Sequence, residues 1–149
     1  MVIQRIQTVY LLIAAILMAV FAFFPALTFE LGGREFVYGA LAAGKVGVTH
    51  IDPLMLMLII LITFLTIVDI FLYKNLQRQM TVCFITIIIG LAMFIAICVQ
   101  AYLVGTRDGV TLVPMWYLIL PALSILFLAM AHKAMSNDKK KLRDSDRLR

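Results

Sequence analysis

The sequence predicts an all-α membrane protein: four transmembrane helices with a small outer β-hairpin. Three observations predict it. Of 149 residues, 64% are hydrophobic and only 14% charged, whereas a soluble domain is about half apolar and a quarter charged. Two apolar runs, Leu54 to Tyr73 and Met80 to Leu103, follow one another across the polar knot Lys74-Asn75-Leu76-Gln77-Arg78-Gln79. At about 1.5 Å per helical residue, each can cross a hydrocarbon core about 30 Å thick. The basic residues, finally, gather on one side of such a layout.

The first helix covers about residues 6–26. Arg5 precedes a run that stays uncharged as far as Glu30. A secretory signal has an apolar core of about 7 to 15 residues and a small-residue cleavage site. Ile6 to Phe24 is longer, and Phe21-Ala22-Phe23-Phe24-Pro25 offers no such site, so this segment reads as a retained helix. Ala15, Ala19, Ala22 and Ala26 recur at three and four residues, a stripe of small side chains that lets another helix approach closely.

Residues 27–51 form an outer hairpin and loop. Leu27-Thr28-Phe29-Glu30-Leu31 and Arg34-Glu35-Phe36-Val37-Tyr38 flank Gly32-Gly33, and adjacent glycines admit the positive φ angles of a tight hairpin turn. Gly39 to Thr49 reads as an irregular return, and His50 as a loop histidine without a metal-binding neighbour.

Asp52-Pro53 opens the second helix, about 53–73: the carboxylate caps free N–H groups and proline suits the first helical position. Thr63, Thr66, Asp69 and Tyr73 share one face about 120° wide, which in lipid turns toward other helices. Met55 and Met57 at its start read as packing and lipid contact.

The third helix, about 80–102, aligns Cys83, Thr86 and Gly90. Fifteen positions separate Cys83 from Cys98, about 22 Å along a helix, too far for a disulfide, whose Cα atoms lie within roughly 7 Å. Tyr102 to Val113 is a second outer segment with a turn at Asp108-Gly109. Val104 and Val110-Thr111-Leu112-Val113 are candidates to add a strand to the hairpin. Pro114 opens the fourth helix, about 114–132, with Trp116 and Tyr117 at interfacial depth and a kink at Pro121. A basic tail, 133–149, follows.

Four crossings place both termini on one side. That side receives Arg5, Lys74, Arg78, Lys133, Lys139, Lys140, Lys141, Arg143, Arg147 and Arg149; the other receives Arg34, Lys45 and Arg107. Basic residues accumulate on the cytoplasmic face, so the N- and C-termini are expected there.

Asp69 is the sharpest candidate site. A carboxylate inside a membrane helix costs a few kcal/mol on insertion scales and is often functional. With Thr63, Thr66 and Tyr73 it forms a candidate intramembrane polar site, and its nearness to the helix end makes Arg5, Lys74 and Arg78 candidate ion-pair partners. In the tail, Lys139, Lys140, Lys141, Arg143, Asp146, Arg147 and Arg149 form a candidate element for anionic lipids at the cytoplasmic face or for docking a partner. No aromatic residue accompanies these charges, so nucleic acid is not expected. No phosphate loop, metal-spaced cluster or nucleophile–base pair is present in the sequence, which predicts no cofactor and no enzyme.

The two ends carry a resemblance. Gln4-Arg5-Ile6-Gln7-Thr8-Val9-Tyr10-Leu11-Leu12, and a finish of an acidic residue, a basic cluster and Asp146-Arg147-Leu148-Arg149, resemble the family termed domain of unknown function 4293, small membrane proteins of Bacteroidetes-type bacteria. Lys141 and Leu142 stand where that family's tail has an apolar pair. The resemblance implies the same four-helix layout in a bacterial inner (cytoplasmic) membrane, and it carries over no catalytic residue. The expected function is that of a non-enzymatic accessory or scaffold subunit of a membrane complex, with a membrane-protein partner or as a homo-oligomer. The alternative is a small transporter or channel subunit acting as an oligomer.

Overall fold

Asp52 and Pro53 begin the second helix as their chemistry dictates. Asp52 has extended geometry (φ −94°, ψ 106°), its carboxylate accepts from the Leu54 N–H at 3.0 Å, and Pro53 occupies the first turn. The same carboxylate accepts from the Tyr38 hydroxyl, and the Asp52 N–H donates to the Gly39 carbonyl. One residue therefore caps a helix and ties it to a sheet.

The computed structural model describes residues 2–41, 48–113 and 116–147. Its elements are α1 (Val2–Phe21), β1 (Pro25–Leu31), β2 (Arg34–Gly39), β3 (Val48–Ile51), α2 (Pro53–Phe71), α3 (Leu76–Gly105), β4 (Val110–Leu112) and α4 (Ile119–Arg147). Short 3-10 turns, Leu72–Lys74 and Trp116–Leu118, precede α3 and α4.

The helices form a four-membered bundle in which α1 packs chiefly on α2 and α4, and α3 on the same two; the α1–α4 interface is the largest. Three helical segments, Pro53–Lys74, Leu76–Gly105 and Trp116–Asp144, are long and apolar enough to cross a membrane. The apolar part of α1, Ile6–Phe21, is shorter. The helix stops at Phe21 rather than continuing to residue 26, because Pro25 lacks an N–H and disfavours helical geometry in the residue before it.

The β-hairpin forms, but as part of a larger sheet. β1 and β2 pair antiparallel across Gly32 and Gly33 (φ 60° and 76°), the backbone region a tight turn needs and glycine supplies. β4 adds antiparallel to β1. β3 takes up the end of the expected irregular return and His50, expected in a loop; it adds parallel to β2, and the order is β3-β2-β1-β4. At Gly39, paired with Pro25 across β1 and β2, a Cβ would lie 3.2 Å from Pro25 Cα and 3.3 Å from Ala26 N. Both neighbours are backbone and have little room to give. Gly39→Val is expected to lower stability by about 1–3 kcal/mol, read as a lower melting temperature in detergent, while Glu35→Val on the exposed part of the same strand changes it little.

Two further boundaries move. α3 starts at Leu76, four residues before the expected start, so four of the six residues of the polar knot belong to it. α4 does not end near His132 but runs 29 residues to Arg147, about 43 Å. The tail has a polar composition but neither glycine nor proline, and lysine, arginine and leucine are good helix formers. Loss of hydropathy ends a membrane segment without ending a helix. Pro121 falls in the first turn of α4 rather than in its interior, where the N–H it lacks has no intrahelical acceptor.

The core consists of two apolar clusters. Near the sheet, Met18, Phe21, Met55, Ile59, Ile62, Met93 and Ile97 pack with small alanines; toward the termini, Leu11, Ala14, Cys83, Leu128, Ala131 and Met135 do so. Met55 belongs to the first cluster while Met57 is 61% exposed. Outward-facing positions on every helix are large and apolar, among them Leu12, Phe64, Ile95 and Leu126. So much exposed apolar surface suits contact with lipid rather than water.

Candidate functional site

A polar layer lies between the two apolar clusters. In order along their helices, Thr66 falls between Ile62 and Asp69, Thr86 between Cys83 and Met93, and Ser124 before Leu128. All three threonine and serine side chains are buried. Each hydroxyl is satisfied by a helix carbonyl: Thr66 donates to Ile62 at 2.7 Å, Thr86 to Val82 at 2.8 Å, and Ser124 to Ala14 across the α1–α4 interface at 2.9 Å. The last bond needs close helices, which Ala14 and Ala15, both buried, permit. Of the expected alanine stripe, Ala15, Ala22 and Ala26 are buried, Ala26 in β1 rather than in a helix.

Asp69 sits one turn nearer the termini on α2, with no exposed surface. Among the described residues neither of its carboxylate oxygens has a hydrogen-bond partner. The Cys83 thiol lies beside it but donates to the Leu128 carbonyl at 3.5 Å. Gln79, also buried, reaches the backbone carbonyl of Asp69 at 3.1 Å and leaves the side chain alone.

The expected ion pair with Lys74 or Arg78 is not made. Asp69 faces the bundle interior, whereas Lys74 and Arg78 are exposed, carried outward by the 3-10 turn and the start of α3. The Arg5 side chain is outside the described residues. The stripe itself holds over three of its four members. Thr66 and Asp69 are buried and Thr63 half-buried, its hydroxyl without a hydrogen-bond partner among the described residues. Tyr73 leaves the stripe, 50% exposed, because α2 ends at Phe71 and the tighter 3-10 winding rotates it away.

Closer to the termini, a second polar group joins α1 to α4. The buried Gln7 side chain donates to the Asp138 carboxylate, and Lys139 donates to Gln77 at the start of α3. These contacts strap the helical tail to the bundle, while Lys140, Lys141 and Arg143 remain exposed. Asp146 and Arg147 lie in α4 with side chains outside the described set, as is all of Arg149.

Gln7, Gln79, Ser124 and Asp138 were not singled out from the sequence. For Gln79 a signal existed: Gln79, Cys83, Thr86 and Gly90 recur at four, three and four residues, one stripe that begins a turn earlier once α3 starts at Leu76. All four are buried. No three of His, Cys, Asp and Glu group to hold a metal ion among the described residues.

The family described as Domain of unknown function (DUF4293) matches residues 3–148. The chain belongs to that family. Comparison with curated proteins and with solved structures found no match. Among the described residues of this DUF4293 protein, the buried side-chain polar atoms without a hydrogen-bond partner are the Asp69 carboxylate oxygens and the Thr63 hydroxyl, nearly two turns apart on α2.

Proposed function

We propose that this DUF4293 protein is a non-enzymatic accessory subunit of a membrane complex, crossing the bacterial inner membrane four times with both termini in the cytoplasm. α1 has 20 residues, about 30 Å, and it lies along α4, the helix it shares most surface with. That supports a fourth crossing beside the three long spans. The distribution of the basic residues supports the orientation.

The observation that carries the accessory reading is the continuity of α4. One helix runs from the bundle core at Leu128 into Lys139, Lys140, Lys141 and Arg143, and Gln7 and Gln77 hold it to α1 and α3. The exposed cations therefore stand on a rigid post at the membrane surface, suited to anionic headgroups and to a partner's acidic face.

The second reading, a transporter or channel subunit working as an oligomer, draws on Asp69: a buried carboxyl group without a partner on a membrane helix is a default functional candidate. The first measurement tests the orientation and the second separates the readings. In a Cys98→Ser background, an impermeant maleimide is expected to label Glu35→Cys in intact cells and Lys141→Cys only after lysis; the reverse pattern refutes the orientation. Purification in gentle detergent is then expected to retain a different membrane protein in fixed ratio, and to lose it when residues 138–149 are deleted. A symmetric homo-oligomer that conducts ions in vesicles, with conduction abolished by Asp69→Asn, supports the second reading instead.

A further inference from the structure

The sheet and the end of α3 flank an open groove outside the polar layer. Strand pairing sets Leu27 opposite Tyr38 and Phe29 opposite Phe36, and because alternate residues share a face, these four form one patch. The Phe29 and Phe36 rings stack with centroids 5.4 Å apart and planes within 10°. Across from them stand Gln100, Leu103, Val104 and Arg107, spaced so that they follow one side of the helix. The groove between has a volume of about 560 Å³, within the usual size of small-molecule pockets, about 300–1,000 Å³.

Its polarity is uneven. Three aromatic rings, Leu27, Leu103 and Val104 supply most of the wall. Gln100 Nε2 donates to the Tyr38 hydroxyl at 3.4 Å, and that hydroxyl donates on to Asp52. Burial, and then the Asp52 hydrogen bond, push the Tyr38 phenol up from its ordinary value, so it keeps its proton. Arg107, just past the end of α3, is the cation of the lining and is exposed, as is Leu103 at 56%. Glu30 and Glu35 fall on the alternate positions of their strands and are exposed. α3 has 30 residues, about 45 Å, longer than the hydrocarbon core by about 15 Å. Its end at Gln100–Arg107 thus falls at the depth where acyl chains meet headgroups.

We propose that this groove binds an amphiphile with an acyl chain and an anionic head, the chain lying against Leu27, Phe29 and Phe36 and the head meeting Arg107. Apolar walls select the chain and the guanidinium selects the charge, as in other pockets where a few polar groups orient an apolar ligand. The inference goes beyond the accessory reading and rests on neither that role nor the orientation, since the groove is tested on the purified chain.

The full-length protein in mild detergent is exposed to diazirine-bearing palmitate, to a diazirine phosphatidylglycerol and to a neutral diazirine monoacylglycerol. After irradiation, adducts are mapped by mass spectrometry. At least one anionic probe is expected to label peptides containing Phe36 or Leu103. That labelling is expected to drop about tenfold in Val104→Trp, which fills the groove, and about fivefold in Arg107→Gln. Leu103→Trp, at an exposed position, replaces Val104→Trp if that variant misfolds. Selective labelling by palmitate identifies a free fatty acid, and selective labelling by phosphatidylglycerol identifies a membrane lipid. Equal labelling by the neutral probe, adducts spread over lipid-facing positions such as Phe64 and Ile95, or labelling that survives both substitutions overturns the proposal.

Discussion

Asp69→Val is expected to make the protein more stable, by about 1–3 kcal/mol, the usual cost of a buried polar group without a partner. The carboxyl oxygens of Asp69 are fully buried and find no hydrogen-bond donor among the described residues. Valine is close to aspartate in size, so it removes the unsatisfied group without leaving a large void. Asp69→Asn keeps the shape and a polar end, and its stability is expected to fall between the two. Unfolding by graded denaturing detergent, followed by circular dichroism, measures the order wild type, Asn, Val. If both variants instead lose stability, a cation must hold the carboxylate in the folded protein, and the idea of an unpaired side chain fails. A gain in stability accompanied by loss of partner retention or ion flux would mark Asp69 as a residue held for function at a stability cost.

Ala14→Leu is expected to be the most damaging single change in the bundle. Ala14 is 1% exposed at the α1–α4 interface, and its carbonyl accepts the Ser124 hydroxyl at 2.9 Å. Three extra carbons have no free space there. Overpacking costs about 1–3 kcal/mol, and separating the helices breaks the hydrogen bond, worth about 1 kcal/mol more. Leu12→Ala, two residues away and facing outward at 51% exposure, is expected to stay within about 0.5 kcal/mol of wild type. Melting curves of the two variants in the same detergent test this. Equal losses would mean that α1 does not pack on α4 through Ala14. Ser124→Ala is expected to lose only the hydrogen-bond part, which separates the two contributions.

The bundle was legible in the sequence because each helix announces itself locally. Leu54 to Tyr73 is apolar over its full length except for the one face carrying Thr63, Thr66, Asp69 and Tyr73, and Asp52-Pro53 marks its start with a cap that needs no distant partner. The Gly32-Gly33 turn was legible for the same reason: φ requirements belong to a residue, not to a neighbourhood. Hydropathy failed at Arg147 and at Leu76, where helix and membrane segment part company. It also missed β3, since a short strand such as Val48–Ile51 is stabilised by the β2 edge it pairs with and carries little pattern of its own.

The site was half legible. That Asp69 points inward follows from its phase with Thr63 and Thr66. Whether it meets a cation does not, because that depends on how the turn at Leu72–Lys74 directs Lys74 and how α3 directs Arg78. Gln7 with Asp138, 131 residues apart, and Tyr38 with Gln100, 62 apart, have no sequence signature at all. Composition and periodicity record how each segment divides between lipid and protein, a property summed over neighbouring residues along the chain. Which polar atoms are satisfied, which helices touch and where a cavity stays open depend on a few long-range contacts of about an ångström's tolerance, and those exist only once the four helices and the sheet have been packed together.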